Sequence, residues 1–269
     1  MSETIDNRKW PWNTLLVSRR HRVLYLPIAK NANTTLKRLF VRASGHVDAP
    51  NLLAEDVHQA LLTRRTGLVL ADYNRARANR ILGDPAYFRF TVLRDPLSRV
   101  VSGYVDKFVV NRGLAAGDAA HREVVMPAIE WVYARRGEAP DPERSITFEE
   151  FTDYLVHAHD DDLDTHFKPQ GAYLQGQAFD FVGAMERMGR VLAVLSKRFG
   201  QVLEPEWHNR TRRRRRPQRP REGAERLLPA QFGRRRPHAD DLLTPELAER
   251  LEHRFAGDRA RWEAARKRA

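Results

Sequence analysis

The sequence predicts an α/β fold in which a central parallel sheet is flanked by helices. Two observations carry that expectation. Short apolar runs of strand length pass through a turn straight into segments of helical period, and this happens twice before residue 111. A third strand-like run, again followed by a helical pattern, returns near residue 180. At 269 residues and 42% apolar content the chain can bury a large core, so 1–269 reads as one domain, with residues 1–20 as an N-terminal extension.

In chain order, residues 22–29 ("RVLYLPIA") suit a buried strand. "NTTLKRLFVRAS" then sets Leu36, Leu39 and Phe40 at helical spacing, with Gly45 as its stop. Residues 52–82 read as mostly helical and irregular. "YFRFTVL" (87–93) alternates aromatic and β-branched residues as a strand does, and proline in "RDP" ends it. Residues 97–110 return to helical period through Leu97, Val100, Val101, Tyr104 and Phe108. Residues 111–145 read as an insertion with one helix around "MPAIEWVYARR", and Thr147 caps a helix rich in early acids. "AFDFVGAME" (178–186) predicts the third strand and "RMGRVLAVLSKRFG" a helix closed by Gly200. Residues 205–240, rich in arginine and proline, predict a long loop, and residues 243–265 a closing helix. No internal repeat occurs.

Composition excludes several classes. No run approaches the roughly 18–20 apolar residues of a membrane span, and the polar start lacks a signal-peptide pattern. Cysteine is absent, which excludes disulfides and thiolate metal sites; together these features predict a cytoplasmic protein. The net charge of +12 is local: twelve arginines and two glutamates between Trp207 and Ala239 put +10 there and leave about +2 elsewhere. Basicity is therefore a property of one segment, which argues against a nucleic-acid-binding protein. "RTRRRRRPQRPR" (210–221) also lacks the interleaved aromatics that single-strand stacking needs. It reads better as a loop that attracts an anionic acceptor or cofactor.

Both strand-to-helix turns carry anion-binding chemistry. The first backbone N–H groups of a helix lack intrahelical partners, and its dipole favours negative charge there. In "LYLPIAKNANTTLK" (24–37), Lys30 precedes a cluster of small hydrogen-bonding residues, and no glycine occurs between Leu24 and Arg42. A Walker A loop needs glycines ending in Gly-Lys-[Ser/Thr], which argues against a P-loop-like kinase. The pattern fits a shallower loop gripping one 5′ group, with Lys30 at its bridging oxygen and hydroxyls from Thr34 and Thr35. The plainer alternative is a capped helix after a core strand. In "FTVLRDPLSRVVSGYVDKF", Arg94 at a strand end and Ser102 two turns into the next helix could hold a second anion. Otherwise Arg94 and Asp95 form a surface ion pair and Ser102 packs. Two grips at the ends of parallel strands suit a nucleoside bearing phosphate-like groups at both ends.

These motifs resemble the sulfotransferases that use 3′-phosphoadenosine 5′-phosphosulfate (PAPS). The branch they resemble is that of the carbohydrate sulfotransferases acting on chondroitin, dermatan and the HNK-1 glycan, with their bacterial relatives. "PIAKNANTTLKRLF" is similar to that branch's 5′-phosphosulfate loop and "YFRFTVLRDPLSRVVSGYVDKF" to its 3′-phosphate motif. "VH" (57–58), "THFKPQ" (165–170), "FDFVGAME" (179–186) and "HNRTRR" (208–213) resemble further blocks in the same order. Ala29 departs from the proline usual before the loop lysine, and the luminal relatives' membrane anchor and cysteines are missing. The resemblance implies a P-loop-like three-layer α/β fold and transfer of a sulfuryl group from PAPS, without a metal, to a hydroxyl of a carbohydrate acceptor. It assigns Lys30, Asn31, Ala32, Asn33, Thr34 and Thr35 to the 5′-phosphosulfate, Arg94 and Ser102 to the 3′-phosphate, and Asn209, Arg210 and Arg212 to closure over the cofactor. Lys30 would stabilise the leaving phosphate.

The acceptor hydroxyl needs a base, and histidine suits neutral pH. His58 lies in the interval where related enzymes carry a histidine, so it is expected to take the proton. His166, beside Asp164, is expected to orient the acceptor. The His and Asp density of "HAHDDDLDTH" (157–166) also admits a metal reading, although an acidic surface loop explains it.

Overall fold

The three strands Leu16–Ser18, Val23–Leu26 and Phe88–Leu93 are buried almost without a break, so both faces of the sheet are covered there. The computed structural model describes residues 5–204 and 221–267. Four strands lie in the order β1 (Leu16–Ser18), β2 (Val23–Leu26), β3 (Phe88–Leu93) and β4 (Phe181–Ala184). β2 and β3 run parallel with Val23 opposite Phe88, and β3 and β4 run parallel with Phe90 opposite Phe181. The α/β reading holds on these three strands. β1 is antiparallel to β2, with Leu16 opposite Tyr25, and comes from residues assigned above to the N-terminal extension. Its far side is closed by Val17 N–H donating to Leu68 O and Leu70 N–H to Leu15 O, both 2.8 Å, so the edge is not left open.

The helices among the described residues are, in chain order, α1 (Asn33–Ala43), α2 (Ala49–Ala54), α3 (Val57–Thr63), α4 (Arg75–Gly83), α5 (Pro96–Tyr104) and α6 (Ala119–Arg136). They continue with α7 (Phe148–His157), α8 (Gln170–Leu174), α9 (Met188–Phe199), α10 (Ala239–Leu242), α11 (Pro245–Arg254) and α12 (Ala256–Lys267). Two compact units result. One comprises Met1–Arg94, Tyr173–Thr211 and Arg261–Ala269, and the other Asp95–Ala172 and Arg212–Ala260.

The first unit holds the sheet between two apolar layers. Val23 and Tyr25 of β2 join Phe88, Phe90 and Val92 of β3 beneath α1, α3 and α9. Tyr25 stacks on Phe90 at 4.7 Å, and Phe40 of α1 meets Phe199 of α9 edge-on. Leu24 and Leu26 face the opposite layer, with Trp12, Leu70, Ile81 of α4 and Trp262.

The second unit is helical. Tyr104, Phe108, Phe148, Phe151 and Phe167 form its aromatic centre, with Ile129, Val132 and Leu251. The helix expected over 97–110 is α5 followed by a π-helical turn at Val105–Val110. Thr147 caps α7 as expected, in a reciprocal box with Glu150. The single helix expected over 243–265 is broken at Phe255, whose backbone (φ −110°, ψ 27°) leaves the helical region between α11 and α12.

Candidate active site

The turn between β2 and α1 is built from backbone that most residues avoid. Lys30 and Ala32 both adopt left-handed φ, +70° and +55°, which costs a non-glycine residue roughly 1–3 kcal/mol. Side chains hold it in place. The buried Asn31 amide donates to Val92 O of β3 at 2.9 Å, and Arg94 Nη1 donates to Lys30 O at 2.9 Å. Thr91 Oγ1 donates to Leu26 O at 2.8 Å, stitching the ends of the two parallel strands together. α1 then begins from Ala32 with no side-chain cap. The helix after the core strand is present as the plainer reading has it, but without a side-chain cap. The first-turn N–H groups beside Lys30, Thr34 and Thr35 form a donor set suited to an anion.

His58 joins this loop. Asp56 caps α3 by accepting from the N–H groups of His58 and Gln59, which fixes the histidine in the first turn. Its Nε2 lies 2.9 Å from Thr34 Oγ1, and its Nδ1 lies 3.2 Å from Lys37 Nζ. Lys37 is 9% exposed. Burial pulls its pKa down to about 8, against the opposing pull of the Asp56 carboxylate. Sequence reasoning passed over Lys37. The available signal was its spacing: Thr34 and Lys37 are three apart on one helix and share a face.

Asp95 caps α5 by accepting from Ser98 N–H at 2.8 Å and takes Arg259 Nη1 at 2.7 Å. Arg94, at the end of β3, reaches back to the first anion loop as described. Ser102 is half-buried on α5. Asn209, Arg210 and Arg212 lie outside the described residues.

In the second unit His166 Nδ1 lies 2.6 Å from Asp164 Oδ1, which also accepts the His166 N–H. Burial pushes the Asp164 pKa up, but the bonds from His166 outweigh it and hold the carboxyl below its usual range. Two supports fix this loop. The buried guanidinium of Arg99 donates to Lys168 O at 2.8 Å and Thr165 O at 3.2 Å. Gly103 lets the loop approach α5: a Cβ there would stand 2.9 Å from the Phe167 ring and 3.7 Å from His166 O. Two other groups of the 157–166 run are otherwise engaged. His157 bonds Asp153 O, and Asp160 pairs with Arg254. Among the described residues no three potential ligands converge as a metal site.

The profile of the sulfotransferase family matches residues 13–260. The chain belongs to the sulfotransferase family. Human carbohydrate sulfotransferase 14 is 31% identical to this chain over 187 residues, 68% of the chain and 46% of the relative. The zebrafish (Danio rerio) carbohydrate sulfotransferase 14 is 29% identical over 72% of the chain and 50% of the relative. Human carbohydrate sulfotransferase 10 is 28% identical over 59% and 42%. The chain thus spans about half the length of the curated relatives it matches. No solved structure matches it. The expectation of a cytoplasmic, bacterial-type enzyme is corrected by these relatives, which are vertebrate carbohydrate sulfotransferases. Its physical basis was weak, because a lack of cysteine shows only that disulfides do not hold this fold. No described helix is long and apolar enough to cross a membrane.

Proposed function

We propose that this sulfotransferase moves the sulfuryl group of PAPS to a hydroxyl of a carbohydrate. The observation that carries the reading is the loop 27–32, latched to β3 through Asn31 and Arg94 and opening an uncapped α1. In this reading residues 30–35 hold the 5′-phosphosulfate, Arg94 and Ser102 the 3′-phosphate, and Asn209, Arg210 and Arg212 close over the nucleotide. The acceptor oxygen attacks sulfur in line, the bond from sulfur to the bridging oxygen breaks, and Lys30 stabilises the charge left on the phosphate. A histidine takes the acceptor proton. His166 suits that role better than His58. The Asp164 carboxylate at Nδ1 orients the His166 ring and would support its positive charge, whereas His58 has the Lys37 ammonium at its Nδ1. The roles expected for the two histidines are accordingly exchanged. The arginine-rich run at 210–221 would draw an anionic acceptor toward the enzyme.

Calorimetry with the desulfated product 3′,5′-ADP, against 5′-AMP, ATP and RNA, tests the reading. A charged hydrogen-bonding partner is worth about 1.5–3 kcal/mol, so 3′,5′-ADP should bind roughly 10–150-fold more tightly than 5′-AMP. Equal affinities would remove Arg94 and Ser102 from the 3′-phosphate. Tight, salt-sensitive RNA binding would favour a nucleic-acid protein instead.

A further inference from the structure

Thr34 of the anion loop is joined to His58, and Lys37 lies at the end of the same chain of hydrogen bonds, Lys37–His58–Thr34. An ammonium has only N–H donors. Lys37 therefore donates to His58 Nδ1, and the neutral ring must carry its proton on Nε2. That Nε2–H donates to Thr34 Oγ1, which turns the threonine's own O–H away from the ring. We propose that Lys37 and His58 are positioning residues of the phosphosulfate loop, together aiming the Thr34 hydroxyl hydrogen at the 5′ anion. The inference rests on the reading of residues 30–35 as that loop.

Three observations support it. Lys37 is 9% exposed, so its donor is not spread over water. With a pKa of about 8 it still carries its charge at neutral pH. The Asp56 cap fixes the backbone of His58 at the start of α3, so the ring presents one edge to each partner. In this arrangement Nε2 is a donor, and His58 is not the base that accepts the acceptor's proton.

A double-mutant cycle read by calorimetry with 3′,5′-ADP tests the proposal. His58→Ala and Lys37→Met should each weaken 3′,5′-ADP by about 3–10-fold, the range of one lost neutral hydrogen bond. In a Thr34→Val background neither should weaken it further, because both act through that hydroxyl. His58→Gln, whose amide can donate from the place of Nε2 but cannot serve as a base, should recover most of the affinity. It should also keep turnover of PAPS with a desulfated chondroitin and dermatan oligosaccharide pool. Additive losses in the Thr34→Val background would overturn the proposal. So would a His58→Gln enzyme that binds 3′,5′-ADP normally but turns over 10²–10⁴-fold more slowly, the signature of a lost base. A wild-type protein that does not bind 3′,5′-ADP would instead overturn the underlying reading of the loop, and this inference with it. Melting curves of each variant separate these results from misfolding, and the glutamine variant preserves the test if His58→Ala does not fold.

Discussion

His58 and His166 are the same side chain in opposite electrostatic company. His58 in the first unit has a buried ammonium at Nδ1 and a threonine hydroxyl at Nε2. His166 in the second unit has a carboxylate at Nδ1. The ammonium makes Nδ1 an acceptor and leaves the ring proton on Nε2. The carboxylate accepts a hydrogen bond from Nδ1–H, which puts the neutral ring's basic nitrogen at Nε2. In the proposed mechanism one ring orients and the other accepts a proton. Histidine content alone could not distinguish them; the partner at Nδ1 does.

The comparison breaks most visibly at His166. His166→Ala should lower kcat by about 10²–10⁴-fold while 3′,5′-ADP still binds normally. Unchanged turnover, measured with the oligosaccharide pool, would end its candidacy as the base. Asp164→Asn should fall in the same direction by a smaller factor, because the amide no longer enforces the tautomer.

A second contrast lies in stability. Lys37 has its pKa lowered in the folded state, to about 8 from 10.5. Below pH 8 both folded and unfolded chains hold the proton, and the penalty for burying the charge is complete. Between about 8 and 10.5 the folded chain releases its proton first, so stability rises with pH; above that window the difference is flat. The span corresponds to about 3 kcal/mol. Urea titrations across pH 7.5–10.5 should show that rise in the wild type relative to Lys37→Met. Parallel curves for the two proteins would mean that the lysine is not desolvated as its burial implies.

The smallest expected effect tests how the His166 loop is seated. Gly103→Ala would press a methyl against Phe167, at a cost of about 1–3 kcal/mol in stability. Turnover should drop with it while nucleotide affinity holds. If stability falls but kcat does not, the loop's exact seat does not govern the base.

Most of the sheet was legible because its signals are local. Residues 22–29 and 87–93 carry apolar runs of strand length, and each is followed by its helix. β1 was not legible: three residues show no period, and its pairing with Tyr25 and closure by Leu68 and Leu70 are decided by partners distant in sequence. The π turn at Val105–Val110 repeats the apolar pattern of an α-helix, so Tyr104 and Phe108 look the same in either. The break at Phe255 has neither glycine nor proline to announce it. At the site the same divide holds. The loop lysine and threonines stand together in the sequence, but His58 meets Lys37 across 21 residues and Arg94 meets Lys30 O across 64. Arg94 was read as a ligand for one anion, and its tie to the other loop is a tertiary fact.

The left-handed turns at Lys30 and Ala32 are held by bonds that the chain makes to itself, through Asn31 and Arg94. A loop that took its shape only on contact would oppose binding by about 1–2 kcal/mol of backbone entropy for every residue ordered. Here that ordering is completed during folding and belongs to the stability of the sheet. On the proposed reading the anion would meet a rigid receptor, so its capture would be governed by diffusion and long-range charge rather than by the waiting time of a loop. The heat-capacity change of binding then reports the nucleoside surface removed from water and carries no contribution from coupled folding.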